Sequence, residues 1–310
     1  MTDIIKDPTT PSVDIPNSNV TDGGRIKVGA PSADRIQGSD GSDDISLLQG
    51  DDLVAAGKGN DQAFLGEGND TATGGTGSDS LQGNQGDDII DGGAGDDSLR
   101  GGKGDDSLRG GGDNDTILGD RGNDNVVGGT GDDFLQGNED DDLVEGGTGN
   151  DSLRGDQDND TLIGGEGNDS LRGGKGNDSL IGGEGDDSLY GDRGSDTLVG
   201  GDGADKFYFN FAADGSFGVD TLTDFNRNEG DKILLSSKEF SALQDQFAVI
   251  ADFNPLDQGD NQAAIIYDPS SGLVYYNPSS ALGDEAQIAQ VDKAVFDANN
   301  PLQATDFEFF

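Results

Sequence analysis

The sequence predicts an all-β chain: a parallel β-roll, that is, a flattened β-helix with 18-residue coils, followed by a C-terminal β-rich capping domain. Three observations predict it. A nine-residue repeat runs from Gly38 to Tyr208 in nineteen units without insertion or deletion. The eighth position is a large apolar residue in seventeen of those units, with Ala63 and Ala72 the exceptions, which gives a thin continuous seam. The second position is Asn or Asp at Asn84, Asp120, Asn138, Asp156 and Asp192, all in alternate units, while the other alternate set has only Gly there after Ser39. Two units therefore make one coil, and its two sides are chemically distinct.

Composition first bounds what the chain can do. It carries 63 acidic against 18 basic residues, a formal net charge of −45, with 54 Gly and 30% hydrophobic residues. The absence of Cys excludes a disulfide framework, thiolate zinc and a cysteine nucleophile; the absence of His excludes the Ser-His-Asp triad and HExxH zinc chemistry. The negative charge argues against nucleic acid and anionic membranes as partners. No apolar run approaches the roughly 18 residues of a membrane helix, so no membrane insertion is expected. The N-terminus Met1-Thr2-Asp3-Ile4-Ile5-Lys6-Asp7 lacks the apolar stretch of a secretory signal peptide.

The elements follow in order. Residues 1–28, rich in Thr, Pro, Ser, Asn and Asp, read as a disordered N-terminal arm. Residues 29–208 form the roll. Its first unit, Gly29 to Gln37, is degenerate but keeps Asp34 and Ile36 in phase, as expected of a terminal repeat. Within a unit such as Gly92-Gly93-Ala94-Gly95-Asp96-Asp97-Ser98-Leu99-Arg100, the last three residues read as a short strand and the first six as a turn. Gly suits a turn with positive φ, and Asp113, Asp140 and Asp158 replace it at position four because Asp tolerates the left-handed region.

Residues 209–310 lose Gly and gain aromatic and branched residues, and read as the β cap. Strands are expected at Phe207–Phe211, Asp220–Phe225, Lys232–Leu235, Ala263–Tyr267 and Leu273–Tyr276, the last two joined by the turn Pro269-Ser270-Ser271-Gly272. Phe240–Ile250 and Ala286–Val295 fit either helix or strand. A cap would cover the open sheet edge of the roll.

The chemistry lies at position six, which is Asp in every unit: Asp43, Asp52, Asp61, Asp70, Asp79, Asp88, Asp97, Asp106, Asp115, Asp124, Asp133, Asp142, Asp151, Asp160, Asp169, Asp178, Asp187, Asp196 and Asp205. Stacked coils place each carboxylate above another at about 4.8 Å per layer. Such columns repel unless a cation sits between layers. Hard oxygen donors select Ca²⁺ or Mg²⁺, and a Gly-rich turn that offers carbonyls suits the larger, more flexible Ca²⁺. Ten units on one edge and nine on the other allow at most seventeen inter-layer sites. The array carries 41 acidic and 10 basic residues, so seventeen Ca²⁺ would come close to neutralising it. The expectation is a chain that is disordered without calcium and folds on binding it.

Gly-Gly-x-Gly-x-Asp-x-U-x resembles the calcium-binding nonapeptide of repeats-in-toxin (RTX), or hemolysin-type, proteins. The resemblance implies ions held between turns eighteen residues apart by the position-six Asp of each turn and by backbone carbonyls. It pairs Asp79 with Asp97 and Asp88 with Asp106, with carbonyls near Gly75, Gly77, Gly92 and Ala94 completing the first site. The weakest sites are expected at Asp52, whose unit opens with Leu47-Leu48, and at Asp115, Asp142 and Asp160, whose units lack Gly at position four. Gly218 to Phe225 and Gly230 to Ser236 are similar to the region that follows the repeats in RTX proteins, and Ala304 to Phe310 to the tails read by type I secretion exporters. The resemblance thus implies an exporter as partner, a secreted, extracellular or cell-surface location, and folding where calcium is abundant.

The expected function is a non-enzymatic structural or matrix component or calcium store. A calcium-dependent adhesin or polysaccharide-binding module is the alternative, and an accessory fragment of a larger RTX toxin or enzyme a third. Catalysis is not expected: 28 residues before the array do not make a catalytic domain, and the recurring acids form no singular pair. Position three is Thr in three units only, so no flat Thr ladder for ice exists. Asp156-x-Asp158-x-Asp160 fails as an EF-hand at Thr161 and Gly167. Arg154 and Arg172 should stack on one face, as counter-charge or a patch for acidic polysaccharide, and Arg100 and Arg109 should lie on opposite faces. Outward Ile89, Phe134 and Leu143 read as shielded contacts, with the arm or another molecule.

Overall fold

A computed structural model of the chain describes residues 24–27, 33–209 and 218–235, six short strands outside these ranges, and residues 302 and 306–309. Those strands are Ile4–Ile5, Asp14–Ile15, Phe247–Val249, Ala264–Asp268, Leu273–Asn277 and Ala286–Val291. The nonapeptides wind into two facing sheets, parallel throughout the array, which with the flanking strands number 14 and 16 strands. Successive units alternate between the sheets, so each strand pairs with the strand one coil before and one coil after. Leu99 stands between Leu81 and Ile117, its partners at a spacing of eighteen residues.

Alternation along the strands builds the core. Position eight points inward and its neighbours outward, as period-two geometry dictates. Leu99, Ile117, Leu135, Leu153, Leu171 and Leu189 on one sheet face Leu108, Val126, Val144, Leu162, Leu180 and Leu198 on the other, all at most 1% exposed. A large side chain fully buried in this way contributes about 1.5–3 kcal/mol.

The strands are longer than the sequence pattern predicts. Each regular strand has six residues, as in Ser98–Lys103, and runs on through the two Gly and position three of the next unit. Glycine does not end the pairing, because the ladder uses backbone groups: Gly102 pairs with both Asn84 and Asp120. The turn shrinks to the remaining three residues. The first units are irregular, since Arg35–Gln37 and Asp44–Ser46 have three residues each, and the six-residue strands begin at Leu53–Lys58.

Parallel pairing extends past both ends of the array. In the expected arm, Ile4–Ile5 pairs with Ile26–Lys27, and Asp14–Ile15 with Arg35–Ile36. Arg25–Lys27 stacks on Asp44–Ser46. At the other end Asp220–Leu222 stacks on the strand Thr197–Asp202, and Lys232–Leu235 on Lys206–Phe209. The strands Ala264–Asp268 and Leu273–Asn277 form the expected antiparallel pair, although the turn proposed at Pro269–Gly272 lies outside the described residues. The described parts of the two ambiguous segments, Phe247–Val249 and Ala286–Val291, are strands.

The seam changes from Leu to Phe as it reaches the cap. Phe207 and Phe225 are fully buried with ring centroids 6.0 Å apart. Arg227 donates to Asp306 Oδ1 at 2.6 Å, and Phe307–Phe309 pairs with Ile233–Leu235, which ties the C-terminal strand to the roll. Among the described residues no helix is long and apolar enough to cross a membrane.

On the surface, Arg154 and Arg172 occupy adjacent rungs of the 14-stranded sheet, and Arg100 and Arg109 lie on different sheets. Phe134 is half-buried beneath the Arg154 guanidinium, 5.7 Å from the ring centroid. Ile89 and Leu143 instead stand 56% and 40% exposed.

Candidate metal centre

The turn between strands positions the carboxylates. Position-two and position-four Gly take positive φ, as at Gly93 (110°) and Gly95 (115°). A Cβ on Gly93 would lie 2.3 Å from the carbonyl oxygen of Gly75 one layer below, so side chains are excluded by contact as well as by φ. Asp113, Asp140 and Asp158 fill position four at φ 71°, 80° and 70°, within the left-handed region that Asp tolerates. The five Asn and Asp at position two also have positive φ, between 66° and 95°, and all lie on the 14-stranded sheet.

All nineteen position-six Asp are at most 4% exposed. They form two columns: Asp43, Asp61, Asp79, Asp97, Asp115, Asp133, Asp151, Asp169, Asp187 and Asp205 in one, and Asp52, Asp70, Asp88, Asp106, Asp124, Asp142, Asp160, Asp178 and Asp196 in the other. Within a column each Oδ1 from Asp52 onward accepts the backbone N–H of the Asp eighteen residues earlier, and Asp43 Oδ1 accepts the Gly24 N–H at 2.9 Å. Asp79 donates to Asp97 and Asp88 to Asp106, each at 2.7 Å. The substituted turns keep the bond: Asp34 donates to Asp52 at 2.7 Å and Asp97 to Asp115 at 2.8 Å.

The other oxygen has no protein partner. In eighteen of the nineteen Asp, from Asp52 to Asp205, the buried Oδ2 makes no hydrogen bond. Asp43 is the exception, because its Oδ2 accepts the Ser39 N–H at 2.7 Å and the Ser39 hydroxyl at 3.0 Å. An unpartnered buried carboxylate oxygen is costly. Here it also faces further acceptors. A methyl group placed on Gly74 would lie 2.3 Å from Asp79 Oδ2 and 2.5 Å from the Gly92 carbonyl oxygen, so these two oxygens converge on one point. The same convergence recurs at Gly146, with Asp151 Oδ2 at 2.3 Å and Gly164 O at 2.6 Å. The carbonyls of Gly75 and Gly77 project toward Gly93 and Gly95 of the next layer, while that of Ala94 accepts the Gly77 N–H at 2.8 Å.

Electrostatics mark the same atoms. Burial pushes Asp88, Asp106 and Asp124 up to about 7 from 3.8, opposed by the amide hydrogen bond and reinforced by neighbouring carboxylates. Asp160 is pushed up to about 8, with Asp142 and Asp178 adding to the burial. Among the described residues no group of three or more acidic side chains is placed to hold a metal ion. Carbonyl oxygens must therefore supplement the carboxylate pairs. Oxygen-only, charge-rich and carbonyl-containing, this donor set fits Ca²⁺.

Two features escaped the sequence reading. Position five carries a second ladder of opposite sense: Asp105 N–H donates to Asp87 Oδ1 at 3.0 Å, and Asn123 N–H to Asp105 Oδ1 at 2.8 Å. The signal was present, since position five is Asp, Asn or Ser in every unit but the last, which has Ala204. The second feature is that the inner ladder passes beyond Asp205 to residues outside the nonapeptide phase.

A family model describing the RTX calcium-binding nonapeptide repeat matches the chain in overlapping blocks from residue 28 to residue 215: 28–63, 64–99, 91–126, 118–153, 145–180, 154–189, 172–207 and 181–215. Comparison with curated proteins finds no match.

Proposed function

Because the chain belongs to the RTX calcium-binding nonapeptide-repeat family, we propose that it is a secreted, non-enzymatic calcium-binding roll that folds on taking up Ca²⁺ between its coils and serves as a structural component outside the cell. The observation that carries this reading is the set of eighteen buried, unpartnered Oδ2 atoms in two columns. Without cations these columns hold repelling, desolvated charge; with Ca²⁺ each becomes a ligand. Folding and metal binding are then one equilibrium.

Export fits the same arrangement. The C-terminal strand Phe307–Phe309 is paired into the roll, with Asp306 fully buried and Phe307 8% exposed. A secretion exporter reading this tail would have to meet it before the chain folds, as in a compartment poor in calcium. A structural role suits a surface whose functional groups are repeated along the roll rather than gathered into one site.

The test is a calcium titration followed by far-UV circular dichroism, with magnesium as the control. A cooperative coil-to-β transition with calcium alone is expected. Compact β structure in excess chelator at neutral pH, or an equal response to magnesium, would overturn the reading.

A further inference from the structure

The inner carboxylate ladder continues where the nonapeptides stop. We propose that the coil of residues 218–235 supplies two further calcium sites, between Asp196 and Asp220 and between Asp205 and Asp231, and that these ions dock the C-terminal cap onto the roll. The proposal rests on the calcium reading above but reaches residues that no repeat frame includes. Asp220 and Asp231 follow their partners by 24 and 26 residues instead of 18, and lie beyond the family match.

The geometry repeats that of the array. Asp196 N–H donates to Asp220 Oδ1 at 3.1 Å, and Asp205 N–H to Asp231 Oδ1 at 3.0 Å. Thr221 N–H donates to the Asp196 carbonyl at 2.7 Å and Lys232 N–H to the Asp205 carbonyl at 2.8 Å, as in every layer below. Asp220 and Asp231 are 8% and 2% exposed. Asp196 and Asp205, 1% and 0% exposed, each keep an Oδ2 without a hydrogen-bond partner.

The last layer then ends the columns. Asp231 Oδ2 accepts the Asn226 N–H at 2.6 Å, and Asp224 accepts the N–H groups of Gly200 and Gly201 at 2.9 and 2.8 Å. At the other end Ser39 satisfies Asp43 in the same manner. One unpartnered oxygen per site gives eighteen sites, two of which belong to the post-repeat coil.

Hydrogen exchange across a calcium titration, with bound calcium counted by equilibrium dialysis, tests this on the full chain. The variant is D196N/D205N, which keeps both Oδ1 acceptors, removes the two unpartnered Oδ2 oxygens and leaves the Asn226–Asp231 bond intact. Expected is a loss of two bound ions and a tenfold or larger rise in the calcium midpoint for protection of residues 218–235, with array peptides such as 98–121 unchanged. An unchanged midpoint and ion count, or protection of residues 218–235 in chelator, would overturn the proposal. A wild-type array that gains no protection with calcium would overturn the calcium reading itself, and the array peptides tell the two failures apart.

The outer faces of the two sheets carry a different message. Eight of the ten basic residues of the array lie on the 14-stranded sheet, and only Lys58 and Arg109 on the other; Arg100, Arg121 and Arg172 are paired with Asp120, Glu139 and Asp192 of their own sheet, so the excess positive charge centres on the Lys175 and Arg193 rungs. Like charges stack in adjacent rungs: Lys175 beside Arg193 on one sheet, and Glu166, Glu184 and Asp202 in a row on the other, next to the half-buried row Ile163, Ile181 and Val199. Like charges directly opposite each other destabilise a sheet. These rows have the same rung spacing and opposite sign. We infer that the basic face of one copy docks on the acidic face of a second copy, a head-to-tail contact that propagates into an open stack.

Sedimentation velocity in calcium at low salt tests it. Wild type should form multimers that salt dissociates. K175Q/R193Q and E166Q/E184Q should each be monomeric, and their equimolar mixture should give a discrete dimer, since one charged face remains on each and the neutralised faces cannot pair. A monomeric wild type, with the basic face binding an acidic polysaccharide instead, or multimers indifferent to either variant, would overturn the inference.

Discussion

Removing calcium leaves protons as the agents that can neutralise the inner ladder, and this sets a pH dependence that can be worked from the structure. Asp88, Asp106 and Asp124 are each pushed up to about 7 from 3.8 by burial and neighbouring carboxylates. Such a shift, about 3 units, corresponds to about 4 kcal/mol per carboxyl between the protonated and ionised folded states. Because the folded value lies above the unfolded one, the contribution favouring the fold is complete below about pH 4 and is lost as pH rises through about 7. A few such residues ionised together outweigh the roughly 5–15 kcal/mol of net stability of an ordinary domain. In chelator the chain should therefore be a coil at pH 8 and gain β structure on acidification, with its midpoint between these limits. With saturating calcium the roll should persist at pH 8. Far-UV circular dichroism against pH, with and without chelator, measures both curves. A chelated chain at pH 8 with the calcium-loaded spectrum, or one that stays a coil down to pH 4, would refute the reasoning.

Single substitutions probe the same forces. Asp106→Asn keeps the Oδ1 acceptor that Asp88 N–H uses at 2.7 Å but removes the unpartnered anion. It should favour the fold in chelator by up to about 4 kcal/mol, which moves the acid-induced folding midpoint to higher pH, yet raise the calcium midpoint at pH 8; circular dichroism against pH in chelator and against calcium at pH 8 reads the two effects. Gly93→Ala sets a Cβ 2.3 Å from the Gly75 carbonyl oxygen at φ 110° and should cost at least about 1–3 kcal/mol, whereas Asn84→Gly, at φ 87°, should stay within a few tenths; denaturant midpoints in calcium compare them. Leu135→Ala, at a fully buried seam position, should cost about 2–5 kcal/mol by the same measurement.

Repetition is what made the fold readable. A nine-residue frame that never slips, with Asp at one position and an apolar residue two further on, fixes the phase of every strand and turn from Asp52 to Asp205. The alternation of Asn84, Asp120 and Asn138 with Gly predicts the 18-residue coil, and these three residues share one sheet. Strand length was misjudged because Gly-Gly reads locally as a turn, whereas ladder partners from adjacent coils hold it extended. Ser39 closing Asp43, and Asp220 and Asp231 extending the columns, were harder to see. Their roles depend on contacts between layers, and the 24- and 26-residue spacings leave no periodic trace. Asp220-Thr221-Leu222 and Asp231-Lys232-Ile233 keep only the Asp-x-apolar fragment of the repeat.

The two turn ladders explain why such a thin seam can still specify one structure. The outer ladder, as from Asp87 Oδ1 to the Asp105 N–H, ties a side chain to the layer after it. The inner ladder, as from Asp106 Oδ1 to the Asp88 N–H, ties a side chain to the layer before it. Each interface between coils is thus locked from both sides by bonds that fix register to the residue. Only the inner ladder leaves a buried carboxylate oxygen without a partner among the described residues, so register and metal demand are set by the same side chain. Every contact in this ladder joins neighbouring coils, which makes the roll a one-dimensional array of coupled layers. In such an array an ion that orders one interface prepares the next. A cooperative calcium response then requires no site tighter than its neighbours, and a break in the middle, as at Asp106, should divide the response into two segments rather than lower it evenly.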